Sequence, residues 1–447
     1  MGIRRSAIID FPVDEVFAWF SRPGAFSRLM APWVPIRPVS QADSLADGTT
    51  VLGLPGGLRW LARHDPQAYV PGRRFVDEVT ADGVRSLPAG VLPWRHVHDV
   101  EPVDEGRTRV SDEVSTPVPE ALLASTIDFR YRRLEGDLAA HRRASEAGLA
   151  PSTVAVTGTS GLVGTDLAAF LSTGGHRVIS LVRHDPTGPD ERRWDPSAPD
   201  PAVVEGVDAV IHLAGASIAG RFTQAHKDTI VGSRVEPTRL LARAAAEAGV
   251  PVFVSASAVG YYGRDRGDEV LTEESATPTE PDFLSEVVRQ WEDAAHDGAG
   301  GDLRVVTVRT GIVQSPRGGT LGMLLPLFRA GLGGRLGDGR QWQPWVGIDD
   351  LVDLYHRALW DTGLSGPVNA VAPGVVRNAQ YTRALGRALH RPTVLPVPSF
   401  GPALLLGREG ADDLAFASQR VRPAVLEERG HVFRHPTIEG ALRHLLG

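Results

Sequence analysis

Three glycines, Gly158, Gly161 and Gly164, stand at three-residue spacing in the stretch Thr157-Gly158-Thr159-Ser160-Gly161-Leu162-Val163-Gly164. The chemistry such a spacing offers is phosphate binding by backbone N–H groups. The apolar run Val154–Thr157 reads as a buried strand and Leu162–Leu171 as a helix, so the glycines fall on a strand-to-helix turn. There Gly158 permits a tight bend, Gly161 lets backbone approach a pyrophosphate, and Gly164 lets helix pack on strand. Further strands are expected at His176–Leu181 and Asp208–Leu213, the latter running into Ala214-Gly215, which gives the βαβ spacing of a dinucleotide site. The second strand ends Leu181-Val182-Arg183-His184-Asp185. Val182 stands where a carboxylate would accept from the 2′-hydroxyl of NAD. Arg183 follows it with a guanidinium suited to a 2′-phosphate, so NADP(H) is favoured over NAD(H), with Asp185 still within reach of a ribose.

A second set of reactive groups follows the strand Val252–Val254: Ser255-Ala256-Ser257-Ala258-Val259-Gly260-Tyr261-Tyr262-Gly263. This segment is similar to the serine-bearing strand end of extended short-chain dehydrogenases. In those enzymes a tyrosine on the next helix exchanges a proton with the substrate oxygen, and a lysine four residues on lowers its pKa. The next helix here reads Asp282-Phe-Leu-Ser-Glu-Val-Val-Arg-Gln-Trp-Glu292, with Phe283 or Leu284 at the tyrosine position and Val287 or Val288 at the lysine position. Lys227 is the sole lysine of the 447 residues and lies upstream of the serines, so the usual dyad is missing. Ser257 is the catalytic candidate, and Tyr261, Tyr262, Glu286 and Lys227 are the groups left to move a proton.

The strings Ala209-Val-Ile-His-Leu-Ala-Gly-Ala216, Ser255–Gly263, Val308-Arg-Thr-Gly-Ile-Val313, Gly337-Asp-Gly-Arg-Gln-Trp342 and Ser418-Gln-Arg-Val-Arg-Pro423 together resemble the "epimerase family protein" branch of atypical extended short-chain dehydrogenases. The resemblance spans about 152 to 447. It implies a doubly wound parallel α/β Rossmann sheet, and NADP(H) held by Gly158–Gly164, Arg183, Leu213-Ala214-Gly215, Ser255 and the strand end at Ser257. It also implies a short C-terminal module of unknown function, and members of this branch share the missing tyrosine and lysine. Sugar-nucleotide relatives carry an arginine-aspartate pair that binds the pyrophosphate. The comparable stretch here, Gln341–Asp350, lacks that arginine, although Arg340 adjoins it. Trp342 and Trp345 in the same stretch suggest a flatter or more apolar substrate, with a place in the core as the alternative for both.

Upstream of a polar, alanine-rich boundary at 146–152, residues 1–145 read as a strand (Ile3–Phe11), a short helix bearing Val13, Val16, Phe17 and Phe20, alternating strands including Arg107–Ser115, and a long helix from about Pro119 to Arg143. Leu122, Leu123, Leu134 and Leu138 are its candidate apolar face. This order resembles the START/polyketide-cyclase-like helix-grip family (SRPBCC), an α+β fold whose sheet wraps the long helix and encloses an apolar ligand. His96 and His98, two apart on a strand, face the same way. A third ligand, such as His64, has no motif to support it, so no metal site is expected and a packed or hydrogen-bonded pair is preferred.

The resulting domains are 1–145, a Rossmann domain at 153–360 and a C-terminal module at 361–447. The formal net charge of −7 argues against nucleic-acid or anionic-membrane partners. The absence of cysteine excludes disulfides and thiolate chemistry and fits a cytoplasmic setting. A small-molecule substrate is expected. Three functions are compatible with these residues: an NADP(H)-dependent oxidoreductase or epimerase, a non-catalytic NADP(H) sensor, and a carrier of apolar ligands through the N-terminal domain.

Overall fold

Thr108–Ser115 alternates buried and exposed side chains along its whole length, the pattern of a strand with one face on a core and one in water. In the computed structural model, which describes residues 2–81, 86, 91–300, 302–397 and 400–447, it belongs to the first of two compact units. That unit comprises Met1–Glu146, Ala168–His176 and Gly447, and the second comprises Ala147–Leu167 and Arg177–Leu446.

The first unit runs β1 (Gly2–Ile9), α1 (Val13–Ser21), α2 (Ala25–Leu29), β2 (Arg37–Ser40), β3 (Thr49–Gly53), β4 (Arg59–His64), β5 (Arg74–Thr80), β6 (Arg95–Pro102), β7 (Thr108–Ser115) and α3 (Glu120–Glu146). Its seven strands form one antiparallel sheet in the order β1-β7-β6-β5-β4-β3-β2. Ile3, Val100, Val110 and Val114 from the sheet meet Phe17 and Phe20 of α1 and Ile127, Leu134 and Leu138 of α3 in one core. Leu123 packs partly against it, but Leu122 is 68% exposed, contrary to the sequence expectation. At 100° per residue Leu122 lies about 140° around the helix from Ile127, the residue that takes the core position instead.

The second unit begins with β8 (Thr153–Thr157), the first half of α4 (Leu162–Thr173, of which Ala168 onward belongs to the first unit), β9 (Arg177–Val182), β10 (Glu191–Arg193), β11 (Ala209–His212), α5 (Gln224–Gly232), α6 (Val235–Glu247) and β12 (Val252–Ala258). There follow β13 (Asp265–Leu271), α7 (Phe283–Ala299), β14 (Arg304–Thr310), β15 (Ile312–Gln314), α8 (Gly319–Arg329), β16 (Trp342–Gln343), β17 (Trp345–Gly347), α9 (Ile348–Trp360) and β18 (Gly366–Ala370). The chain ends with β19 (Val376–Arg377), α10 (Asn378–Ala388), α11 (Phe400–Gly410), β20 (Ser418–Val421), α12 (Ala424–Glu428) and α13 (Ile438–Leu446).

Seven strands form a parallel sheet in the order β10-β9-β8-β11-β12-β14-β18. Its central strands are buried continuously rather than alternately, as a sheet covered on both faces requires. Phe253 and Val305 pack with Ala242 and Ala245 of α6 and Ala295 of α7, and α9 packs on β12 and β14. The sheet takes its edge strand β18 from beyond residue 360, and β9 and β11 flank β8 on opposite sides. That reversal opens a crevice at the carboxyl ends of β8 and β11, where doubly wound sheets bind ligands. Among the described residues no helix is long and apolar enough to cross a membrane.

Candidate functional site

At the carboxyl end of β8 the chain turns with Gly158 at φ +74°, a conformation that L side chains rarely adopt. A Cβ on Gly164 would stand 2.1 Å from the Gly158 carbonyl oxygen, so the first turn of α4 packs on the loop at a distance only glycine allows. A Cβ on Gly158 would meet the Leu213 carbonyl carbon at 3.1 Å, and one on Gly215 would meet the Arg234 guanidinium at 3.1 Å. Thr159, Ser160, Gly161, Leu162 and Val163 line the mouth of this turn with no side chain fully buried.

The two loops are pinned by Thr157, whose Oγ1 accepts from the N–H groups of Leu213 (3.0 Å) and Ala214 (3.1 Å) and lies 2.8 Å from His212 Nδ1. Burial, then the charge of Arg234, pulls the pKa of His212 down to about 3, so the ring is neutral. With two donors already on its oxygen, Thr157 gives its own proton to Nδ1. The result is a backbone-lined cradle at the crevice, closed to a Cβ at Gly164 and tight for one at Gly158 and Gly161, and it fits a dinucleotide pyrophosphate.

Arg183 follows β9 as an exposed residue with no hydrogen bond or ion pair among the described residues, whereas Asp185 is paired with Arg193 of β10 at 2.9 Å. The cation at the strand end is therefore available and the carboxylate beside it is engaged.

The serine strand end is organised differently from the expectation. Ser255 and Ser257 are both buried, on one face of β12. Ser255 Oγ donates to the carbonyl of Ala256 at 3.0 Å, so its hydroxyl proton is engaged. Ser257 Oγ donates to Glu292 Oε1 at 2.5 Å, and Glu292 in turn receives two bonds from Arg309, at 2.8 and 2.7 Å. Arg309 also donates to Tyr262 Oη at 3.0 Å, and that hydroxyl donates to Asn369 Oδ1 at 2.7 Å. Asn369 closes the network by donating to the carbonyl of Arg422 and taking Glu273 Oε1 on its own N–H.

Burial pushes the Tyr262 hydroxyl up to about 12, against the pull of Arg309. Burial works to lower Arg309, but the Glu292 pair outweighs it and holds the guanidinium above its ordinary value. Helix α7 delivers Glu292: Asp282 caps it by accepting from Ser285 N–H, and Val287, Val288, Trp291, Ala294 and Ala295 form its inward face. Glu292, Arg309 and Asn369 were not singled out from the sequence. Arg309, a charged residue in the buried middle of strand β14, is the signal that could have found them.

Tyr261 is the partly exposed member of the pair. Its ring lies with Arg309 Cζ 3.5 Å from the centroid and edge-on to Tyr262, and its hydroxyl has no hydrogen-bond partner among the described residues. The turn that carries both tyrosines is held from the C-terminal segment by Gln419, whose Nε2 donates to the carbonyls of Gly263 (2.6 Å) and Val259 (3.3 Å). The other two proton-transfer candidates are engaged: Lys227 pairs with Glu409 at 2.5 Å, and Glu286 accepts from Arg289 and Gln290. Trp345 is fully buried and donates to the carbonyl of Gly374, so it belongs to the core and not to a substrate surface. Trp342 is packed against Arg377 and Arg420, its indole N–H on Asp268.

With this geometry in hand, residues 154–369 match the NAD dependent epimerase/dehydratase family and residues 397–445 match a domain of unknown function, DUF1731. An epimerase family protein of Mycobacterium bovis is 42% identical over 297 residues, which are 66% of this chain and 97% of that protein. The crystal structure of a nucleoside-diphosphate sugar epimerase from Corynebacterium glutamicum superposes with a TM-score of 0.86 at 43% identity, covering 100% of this chain and 90% of that one. The human epimerase family protein SDR39U1, solved with NADPH, gives a TM-score of 0.60 at 32% identity over 66% of this chain and 99% of its own. The Rossmann-like sheet, the glycine turn and these relatives lead to one conclusion: the chain belongs to the epimerase family of short-chain dehydrogenase-like proteins and carries that family's C-terminal domain of unknown function.

Proposed function

We propose that this protein binds NADP(H) in the cradle of Gly158–Gly164, Leu213–Gly215 and Arg183, and is an oxidoreductase or epimerase acting on a small molecule with Tyr261 as the proton-exchanging group. The observation that carries the reading is the glycine cradle with a free Arg183 beside an engaged Asp185. The human relative solved with NADPH supports the choice of phosphate-bearing cofactor. When bound, the nicotinamide would supply or accept hydride. The chain's own part is to bind the pyrophosphate on backbone N–H groups, balance the 2′-phosphate with Arg183, and hold a proton on Tyr261 Oη.

Arg309, with its guanidinium against the Tyr261 ring, fixes the position of that ring. Glu292 keeps Arg309 in place, and Ser257 orients Glu292, so Ser257 serves as a positioning residue in this scheme. Residues 1–146, with their seven-stranded antiparallel sheet and 27-residue helix, fit a helix-grip domain that holds an apolar ligand.

A non-catalytic NADP(H) sensor is the second reading, favoured by the engaged hydroxyl of Ser257. Two measurements separate the readings. In titrations, Arg183→Asp should weaken NADPH more than NADH by about 1–3 kcal/mol, the value of charge-assisted hydrogen bonds to the phosphate; equal weakening of both removes Arg183 from the site. Protein loaded with deuterated NADPH is then incubated with a metabolite extract and deuterium transfer is followed by mass spectrometry. Transfer by wild type that is lost in Tyr261→Phe, with NADPH binding unchanged, supports catalysis through Tyr261. Binding without transfer in wild type replaces the enzyme by the sensor.

A further inference from the structure

The antiparallel register of the first unit lines up five titratable side chains on one face of its sheet. His64 of β4 stands opposite Asp77 of β5, Asp77 opposite His96 of β6, and His98, two residues on and so on the same face, opposite Asp112 of β7. His64, His96, His98 and Asp112 are all buried, and Asp77 nearly so. One carboxylate oxygen of Asp112 lies 2.7 Å from His96 Nε2 and 2.8 Å from His98 Nδ1. Asp77 Oδ1 faces the other nitrogen of each ring, 3.2 Å from His98 Nε2 and 3.9 Å from His96 Nδ1. Ligand atoms of Asp77, His96 and His98 thus lie within 4.8 Å of one another.

A carboxylate can only accept. His96 Nε2 is hydrogen-bonded to Asp112 and His98 Nε2 to Asp77, so each ring sets one nitrogen on a carboxylate. His98 Nδ1 is buried without a hydrogen-bond partner, and His96 Nδ1 stands 3.9 Å from Asp77, beyond hydrogen-bond reach. A cation in place of the proton shared by His98 Nε2 and Asp77 binds both of these groups and takes the lone pair of His96 Nδ1 as its third. Arg130 stands 3.8 Å from Asp112, but among the described residues the ion-pair partners of Asp77 are the histidines alone. His64 Nδ1, opposite Asp77, is buried without a hydrogen-bond partner.

We propose that Asp77, His96 and His98 bind a divalent transition-metal ion, Zn²⁺ in the first place, with Asp112 as the outer carboxylate that orients the His96 ring and His64 as the nearest further donor. Two imidazoles and one carboxylate suit zinc and its first-row neighbours rather than Mg²⁺ or Ca²⁺, and a carboxylate on the far nitrogen of a ring, as Asp112 is on His96, is the arrangement that fixes histidine ligands. Where the sequence offered only His64 as a third ligand, the fold brings Asp77 across the strands beside His96 and His98.

The test uses the full chain, stripped with a chelator and titrated with Co²⁺, then Zn²⁺. The expected result is one equivalent of Co²⁺ with visible ligand-field absorption, displaced by Zn²⁺, and one Zn²⁺ per chain retained through gel filtration. Asp77→Asn and His98→Gln should lose the metal, and Asp112→Asn should weaken it ten- to a hundredfold. His435→Ala, in the second His/Asp group at Asp349, His435 and His444, should keep it. Far-UV circular dichroism and NADPH binding report folding of each variant. No metal retained by folded wild type, or metal undiminished in folded Asp77→Asn, overturns the assignment.

Discussion

Replacing Glu292 with glutamine tests the buried network most directly. The Glu292 and Arg309 side chains are 9% and 3% exposed and share two hydrogen bonds of 2.8 and 2.7 Å. Removing one partner of such a pair leaves an uncompensated charge in the interior and costs about 3–5 kcal/mol. Glutamine keeps one oxygen for Ser257 and Arg309 Nε but sets its NH₂ against Arg309 Nη2, donor against donor, so the negative charge and one of the two bonds are lost. A loss of about 3–4 kcal/mol corresponds to a fall of roughly 100- to 1000-fold in amide protection. Because the chain has two units, a single global unfolding curve is a poor reporter; hydrogen exchange in peptides from Phe283–Ala299 and Arg304–Thr310 reads the network locally. The double variant Glu292→Leu with Arg309→Met, which removes both charges, should restore most of the protection. A loss under about 1 kcal/mol in Glu292→Gln would place the pair in the class of solvated surface bridges and refute the network as described.

Three further outcomes follow from the same structure. Gly164→Ala places a methyl 2.1 Å from the Gly158 carbonyl and should destabilise the second unit by about 1–3 kcal/mol and abolish NADPH binding, checked by thermal melts with and without the nucleotide. Arg193→Ala releases Asp185 and should narrow the preference for NADPH over NADH severalfold in titrations; an unchanged ratio would show that Asp185 does not reach the ribose. Asp350 is fully buried beside Asp349 and Asp353, and burial raises its pKa to about 7 despite bonds from the Arg434 and His435 N–H groups. A raised carboxyl stabilises the fold below its unfolded pKa of about 4, and the contribution fades as pH climbs through 7, at up to roughly 1.4 kcal/mol per unit. Stability measured between pH 4 and 8 should fall accordingly, and Asp350→Asn should flatten the curve.

The glycine turn was readable in the sequence because its demand is local: a positive φ and a missing Cβ are properties of single residues. The strands around it were readable because continuous apolar runs at βαβ spacing have few other uses. The Ser257–Glu292–Arg309 network was not, since a glutamate on an amphipathic helix looks like surface charge until its partner, 17 residues on, is seen beneath it. Asp77 escaped notice for the same reason, its histidines lying across strand pairs whose register no linear motif records. Trp345 stood open between core and substrate surface because burial of a large aromatic ring and its use in a binding surface look alike in sequence. Short edge strands such as Glu191–Arg193 carry no periodicity from which to be inferred.

The bond from Gln419 to the tyrosine turn joins residues 156 and 160 positions apart. During synthesis the glycine cradle and the serine strand emerge long before Gln419 does, and Arg422, whose carbonyl holds Asn369 beneath Tyr262, comes later still. The tyrosine turn therefore acquires these supports only after every strand of the parallel sheet has been synthesised. A chain cut short before Ser418 would keep the residues of the glycine turn and lack the bonds from Gln419 to Val259 and Gly263, so the loss of that segment falls on the turn that carries both tyrosines.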